Sequence, residues 1–482
     1  MKRNIIIVSL LLLMPLLAGA QALKGSYFLD NSLNRNKMNP AFAPEADYFK
    51  IPFIGDMGFG VYSNLDLPTF LYPGENGKLI TAFHPDVSVK QFNRALPKHP
   101  YLDAEMATDI ISLGFHTKRG SFWTVDVGIK SNIDSDIPRD FYTFMKKGTG
   151  MTGESYNLAN IHIYGTSALH ASVGYSRDMS SLVKGLRVGA RLSYIAPVAY
   201  MGLDLENVRL TTTPDKWTID TEGYFDVAMQ GLTLAQSSGL ESFEDFTDVA
   251  EFDLSEMNGL FAGSGFSLDL GAEYELNIGS VFDGTRFSAS FTDLGFISYK
   301  NNVISRYMTK GQFNWEGVEI GTESDAVMEE LMDEFAGLFS LDDVNGKKLS
   351  TSSMPSFYLG AEMPIPYAKF MSIGLLYSAR QTLGYARHEL TASYNLEPCN
   401  WFAFSANYSF LNTGRTMGML LQFTPKKGVA FTIGTDYLAT QFAPVEMGGT
   451  YLPSINKIPL SWRMNLNFGI AATLGSRQMK NR

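Results

Sequence analysis

The residues of this chain that could do chemistry are few and scattered. His162 and His170 stand at even spacing on one alternating segment, on the same face as Tyr164, Thr166 and Ser172. A histidine beside a serine is the raw material of a hydrolase site. No Asp or Glu of that segment stands ready to orient either ring, so both histidines read as polar lining of a wet surface. His84, His99, His116 and His388 form no H-x-x-x-H or H-E-x-x-H pair on which a metal could close. The run "LDDVNG", residues 341–346, lacks the alternating ligands and terminal Glu of a calcium loop and reads as a turn. No G-x-G-x-x-G stands between a strand and a helix. The expectation is therefore an absence of catalytic residues, metal and cofactor.

Charged residues recur on the polar faces of alternating segments: Arg187, Arg191, Glu273, Glu275, Arg380 and Arg463. Facing a lumen, they would pair across strands or set up a field for polar solutes. Gly418 and Gly434 sit in mid-segment, where glycine permits bending or the close approach of another backbone. A net charge of −10 argues against nucleic acid, which selects basic surfaces. The single cysteine, Cys399, can form no internal disulfide.

The elements that must position these residues follow a leader. Lys2 and Arg3 precede an apolar run from Ile5 to Leu17, and Ala18-Gly19-Ala20 supplies a small-x-small cleavage pattern. Residues 1–20 read as a signal peptide, with the mature chain starting at Gln21. Beyond it no stretch approaches the ~18 consecutive apolar residues of a membrane helix.

From about residue 121 the chain repeats one grammar of strict alternation broken by Gly, Asn, Asp, Pro or Lys clusters. In "SFWTVDVGIK" Trp123, Val125, Val127 and Ile129 oppose Thr124, Asp126, Gly128 and Lys130. In "GFSLDLGAEYELNIG" Phe266, Leu268, Leu270 and Tyr274 oppose Asp269, Glu273 and Glu275. "KWTIDTEGYFDVAMQ", 216–230, partitions its charges the same way. Further copies fall at 161–176, 186–200, 285–299, 356–363, 369–380, 387–396, 401–412, 416–424, 428–438 and 461–474. With segments near 58–64, 109–118 and 307–315 the expected strand number is ~14. Soluble sandwiches and propellers share this alternation, but their strands are mostly ~5–6 residues, whereas a tilted bilayer-crossing strand needs roughly 9–11. Tyr and Trp also gather towards segment ends, at Tyr164, Tyr175, Tyr194, Tyr200, Trp217, Tyr299, Trp315, Trp401, Tyr437 and Trp462, as in the girdles of a membrane barrel. The fold class expected is all-β, a transmembrane antiparallel up-and-down barrel in the outer membrane.

Two stretches leave the grammar. Residues 64–108 are Pro-punctuated, with a short helix expected around 87–96. The stretch from Glu323 to Leu338 reads as an acidic amphipathic helix with Val327, Leu331, Phe335 and Leu338 on one stripe. Either would cover a barrel mouth or pack its stripe on neighbouring strands.

The mature chain opens on the polar segment "NSLNRNKMNPAFAP", which breaks at Asn39-Pro40-Ala41. Pro40 removes a donor and holds Asn39 out of the helical region, and Asn side chains satisfy backbone groups in irregular structure. Such backbone is tolerated at membrane depth only where protein buries it or water surrounds it, and a barrel lumen offers both. A frayed tail is the alternative, against which stand Phe42, Tyr48, Phe49, Ile51, Phe53 and Ile54 close by. The Asn-Pro-Ala tripeptide before strand one resembles the hatch of the long-chain fatty acid transporter (FadL-like) family and of the related barrel subunit of type IX secretion. Together with "FTDLGFISYK" at 291–300 and "FNWEG" downstream, the stretch "YFLDNSLNRNKMNPAFAP" resembles an uncharacterised outer-membrane barrel family, a domain of unknown function. That resemblance implies one barrel and brings no substrate. The expected organisation is a plug over 21–57, a barrel over 58–475 and a tail over 476–482.

Two functions fit. One is a plugged channel for uptake or export of a hydrophobic small molecule across the outer-membrane lipid. The other is a structural barrel, the anchor or docking platform of an envelope protein partner. An open porin fits less well, because a long segment before the first strand suggests that the lumen is plugged.

Overall fold

Period-two patterning gives each segment one apolar and one polar face, and in the computed structural model these segments hydrogen-bond in chain order until the last meets the first. The structure describes residues 22–74, 79–118, 120–147, 154–212, 217–234, 250–252, 257, 259–279, 282–308, 341–344, 346–411, 414–424, 428–438, 442–444, 457–459 and 463–474. The leader, the acidic stretch 323–338, the tail 476–482, Trp315 and Trp462 lie outside them.

The wall is a closed antiparallel barrel of 14 strands. β1 comes in two pieces, Asp47–Lys50 and Met57–Ser63, followed by β2 Tyr101–His116, β3 Ser121–Asp136, β4 Ile161–Asp178 and β5 Leu186–Leu205. Next come β6 Gly263–Glu275, β7 Arg286–Tyr299, then β8, also in two pieces, Leu349–Ser352 and Ser356–Ile365. β9 Ala368–Gln381, β10 Ala386–Cys399, β11 Phe402–Leu411, β12 Gly414–Phe423, β13 Val429–Leu438 and β14 Met464–Leu474 complete the ring. β14 pairs with β13 on one side and with both pieces of β1 on the other, so the wall has no free edge. Connections at one end are short, at 117–120, 179–185, 276–285, 366–367, 400–401 and 424–428; the long ones, 64–100, 137–160, 206–262, 300–348 and 439–463, share the opposite end.

Side chains sort by parity. Leu192, Phe266, Leu268, Leu270, Ile373 and Ile433 stand exposed on the outside, while Ser267, Asp269, Thr124 and Asn407 are buried on the inside. The chain enters the wall at Asp47, ahead of the boundary read from the sequence at 57, because Pro52 and the loop 51–56 interrupt β1 and hide its first piece. At that interruption Ile51, Phe53 and Ile54 point outward, whereas Phe42 and Tyr48 point in and are buried.

Several elements differ from the sequence reading. The stretch 216–230 is not one strand: Trp217–Asp220 joins a small sheet with Arg209–Thr212 and Glu154–Asn157, whereas Gly223–Met229 continues the wall beside the last residues of β5. Val303–Met308, near the strand expected at 307–315, pairs with that same extension. β2 begins at Tyr101, earlier than its apolar pattern showed. The strand-end aromatics split: Trp401 and Tyr194 face outward, but Tyr200, Tyr299 and Tyr437 are buried inside the mouth, where they pack on each other or on inner tyrosines instead of forming a girdle.

Among the described residues, three short helices cap the long-loop end: α1 Leu67–Phe70, α2 Val89–Ala95 and α3 Arg139–Lys147. α2 falls where a helix was expected, its Ser88 side chain accepting from the Gln91 amide at 3.2 Å as an N-cap. Phe92 is fully buried beneath it, against Tyr72, Val87 and Leu96.

Candidate functional site: a plugged lumen

Residues 22–46 fold inside the barrel at its short-turn end, and nearly all are buried. With no repeating secondary structure beyond two single 3-10 turns, Lys24–Ser26 and Arg35–Lys37, this backbone must find partners elsewhere. The wall supplies many. Ser290 Oγ donates to the Met38 carbonyl (2.6 Å), Gln422 Nε2 to Asn31 O (2.6 Å), and Arg191 Nη2 to Lys37 O (2.9 Å). The Lys24 amide donates to Asp436 (3.0 Å) and its ammonium pairs with Glu389 at 2.5 Å. Apolar anchors alternate with these polar ties: Tyr27, Phe28, Met38 and Phe42 pack on Tyr358 and Leu376, and Leu23 and Leu29 on Ala403 and Leu420.

The turn at Asn39-Pro40-Ala41 is seated on two wall glycines. Asn39 is fully buried; its Oδ1 accepts from the Ala41 amide (2.9 Å), and its Nδ2 donates to the wall carbonyl of Ala272 (3.2 Å). Ser176 Oγ donates to Ala41 O at 2.7 Å. A Cβ on Gly189 would stand 2.1 Å from Pro40 O, and one on Gly271 would stand 2.0 Å from Asn39 Oδ1. Only glycine permits this approach. Gly434 serves Leu23 in the same way, while Gly418 abuts wall residues Asn407 and Asp436.

A buried charge cluster ties plug to wall. Lys37 Nζ meets Asp56 at 2.6 Å and Asp109 at 2.8 Å, and Lys50 meets the same carboxylates at 3.3 and 2.9 Å. Burial alone would lower the Lys37 pKa, but Asp109 and Asp56 outweigh it and raise the value above the usual one. The sequence reading did not single out this cluster, because its members lie apart along the chain at Lys37, Lys50, Asp56 and Asp109 and no spacing links them.

The lumen-facing charges named from the sequence pair mostly with groups outside that set. Arg191 pairs with Asp269 (2.5 Å) and Arg380 with Glu105 (2.5 Å). Glu273 lies 3.7 Å from both Arg35 and Arg286, and Arg187 sits opposite it in register while donating to Ser176 at 3.3 Å. Glu275 ends β6 opposite Arg286, and Arg463 stands just before β14 with its Nε on Ser63 O at 2.8 Å. His162 does find a carboxylate, from the neighbouring strand: its Nδ1 lies 2.9 Å from Asp204, which also accepts from Tyr164 at 3.3 Å. His170 lies eight residues further along the same strand, so the two rings serve different levels of the lumen.

Above the plug lies a cavity of about 180 Å3 whose floor includes Lys37 and Met38 and whose walls include Asp126, Lys130, His170 and Arg191. It is polar. An apolar pocket of about 240 Å3 sits higher, at the long-loop end, lined by Leu65, Phe70, Pro100, Leu102, Ile137 and Tyr142. The Ser63 and Ser135 hydroxyls on its rim are spent on the Tyr101 and Leu102 carbonyls at 2.7 and 2.6 Å, so the space offers chiefly hydrocarbon and aromatic surface.

A model described as a family of unknown function (DUF5723) matches residues 40–436. No curated protein matches the chain. Among solved structures, a deltaS2S3 mutant of the TodX monoaromatic hydrocarbon channel is 10% identical with a TM-score of 0.42, over 95% of this chain and 99% of that one. The toluene transporter TbuX of Ralstonia pickettii is 9% identical at 0.37, covering 92% and 95%. The translocator domain of the autotransporter NalP from Neisseria meningitidis is 8% identical at 0.30, covering 89% and 88%. Likenesses at this level say nothing of what this chain carries.

Proposed function

We propose that this chain, which belongs to the DUF5723 family of unknown function, is a plugged outer-membrane channel that takes up a small hydrophobic molecule. The observation that carries the ligand class is the apolar pocket among the long loops. Small apolar cavities bind apolar guests readily, and one of about 150 Å3 accommodates benzene. Outer-membrane placement is supported by the closed even-numbered wall, its apolar outward face, and the gathering of short turns at one end, the periplasmic pattern. On that orientation the plug closes the periplasmic side and the apolar pocket faces outward, where a ligand first arrives.

Calorimetric titration of the full-length protein in detergent with naphthalene tests the capture step. Phe70→Asp puts a carboxylate into the pocket and should abolish saturable binding, while Phe410→Asp, on the outside of the wall, gives the background of the detergent belt. Equal binding by wild type and Phe70→Asp would remove the hydrophobic ligand. A second reading, a docking platform for an envelope protein, is favoured by the filled lower lumen and by the separate three-stranded sheet that the long loops build. Stoichiometric co-purification of one envelope protein, without saturable naphthalene binding, would select it.

A further inference from the structure

The lumen above the plug is crossed by side chains from opposite walls. β2 and β9 stand seven strands apart in the 14-strand ring, as far as two strands can be. Strands about 4.8 Å apart around such a ring leave roughly 20 Å between opposite backbones. Yet Arg380 on β9 meets Glu105 on β2 at 2.5 Å, and Arg387 on β10 meets Asp103 at 2.6 Å and Glu105 at 3.3 Å. The β9–β10 hairpin therefore leans across the bore. Its tip takes part: the Tyr385 hydroxyl donates to Asp103, and its ring lies 4.9 Å from that of Tyr101. Arg387 also covers the Tyr62 ring at 4.3 Å, and Tyr62 meets Tyr437 edge-on at 5.3 Å. Asp103 is wholly buried and Glu105 nearly so.

A second tie spans β3 and β7, Lys130 to Asp293 at 3.1 Å. Asp293 adopts φ +55° at a bulge where the β6–β7 register shifts, a backbone state uncommon for a residue other than glycine. The polar cavity lies between these ties and the plug, with Lys37 at its floor and Glu105, Arg380, Lys130 and Asp293 among its walls.

We propose that the β9–β10 hairpin is a gate separate from the plug. It is held shut by Arg380, Arg387 and Tyr385 on the Asp103–Glu105 pair, and it shares closure of the lumen with the N-terminal segment. The chemistry of the contact fits a closure that opens. A permanent seal is made most stably from packed hydrocarbon, whereas buried ion pairs carry a large desolvation cost that is returned when water re-enters. Parting the hairpin from β2 exposes carboxylates and guanidinium groups that water solvates, along with the edges of three tyrosines. The hairpin's tip is fixed by its own bonds, the Thr382 amide donating to Tyr385 O at 2.8 Å and the Tyr385 amide to Thr382 Oγ1 at 3.1 Å. Residues 382–388 lie beyond the ladders that hold β9 to β8 as far as Arg380 and β10 to β11 from Glu389, so the tip can move as a unit about those last pairings.

The gate is tested by single-channel conductance of full-length protein in planar bilayers. The gate variant is Asp103→Asn with Glu105→Gln, which keeps size and removes charge. The plug variant is Gly189→Ala with Gly271→Ala, its displaced plug verified by protease cleavage. Each alone should stay closed, and the combination should raise conductance about tenfold or more, to the level of a water-filled bore. Full conductance of the plug variant by itself overturns the proposal, and so does a closed combination whose plug is verified as displaced. If the neutral variant does not insert, the charge swap Asp103→Arg with Arg387→Asp, made on the displaced-plug background, takes its place: closure by the swap but not by Arg387→Asp alone supports the gate, and equal currents from both refute it. None of these outcomes depends on naphthalene binding, so the gate and the ligand class stand or fall separately.

Discussion

Adding one methyl group to each of two wall glycines should release the plug while leaving the barrel closed. Gly189→Ala brings a Cβ within 2.1 Å of Pro40 O and 2.5 Å of the Ala41 nitrogen, and Gly271→Ala brings one within 2.0 Å of Asn39 Oδ1. Ordinary contact begins near 3.4 Å, so the turn must withdraw by more than 1 Å from each strand. Neither glycine has positive φ, so alanine suits the wall backbone and the strain falls on the plug. Withdrawal breaks the Ser176–Ala41 bond of 2.7 Å and the Asn39–Ala272 bond of 3.2 Å. Each lost bond costs about 1 kcal/mol, and overpacking costs about 1–3 kcal/mol more. A total of about 3 kcal/mol raises the undocked population by about two orders of magnitude, since 1.4 kcal/mol is a factor of ten. The two sites share one turn, so their effects will not simply add. Trypsin cleavage after Arg35 or Lys37, in folded protein extracted in detergent, reads that population when reclosing outpaces cleavage. Arg35 is almost fully buried in the wild type, which should resist. Unchanged cleavage in the double variant refutes the seating of the turn. Loss of heat-modifiable migration along with protection would show instead that plug and wall fold as one unit.

Leu270→Arg, on the outward face, should cost roughly 2–4 kcal/mol if the residue lies near mid-bilayer, whereas Thr166→Lys, facing the polar cavity, should be nearly silent in urea unfolding from lipid vesicles. Equal damage would mean that parity does not report lipid. Lys37→Met leaves Asp56 and Asp109 to share Lys50 alone and should weaken docking by about 3–5 kcal/mol, read as faster trypsin cleavage after Arg35; a rate equal to wild type would show that the cluster does not hold the plug. The Lys37 pKa is raised on docking, so its stabilisation is complete below the ordinary lysine value of 10.5 and is lost as pH rises through the raised value. A spin label at Ala43→Cys, in a Cys399→Ser background, should stay immobile from pH 7 to 10 and loosen only above that window; loosening near neutrality would contradict the sign.

Alternation alone was enough to read most of this wall. Where an apolar row opposed a polar one, as over residues 123–130 of β3 and 266–275 of β6, sequence assigned the faces of the residues it named, because a strand repeats every two residues whatever surrounds it. The same rule failed where its contrast was weak. The first half of β2 has Ala104 in its outward row and shares a segment with prolines, so Asp103 and Glu105 went unread although they anchor the hairpin of the proposed gate. The Asn39-Pro40-Ala41 turn was legible as irregular backbone in need of partners, but its partners are glycines far along the chain, and nothing local marks Gly189 or Gly271 off from other mid-strand glycines. Parity tells which side a residue faces and nothing about what stands opposite. Thr124 and Ser267 stand on the inward face and are buried, whereas Thr166, also inward, borders open space. Tertiary structure decided those outcomes: the lean of the β9–β10 hairpin sets Asp103 beside Arg387, and the path of the plug sets Lys37 beside Asp109, contacts that no property of the segments carrying them announces.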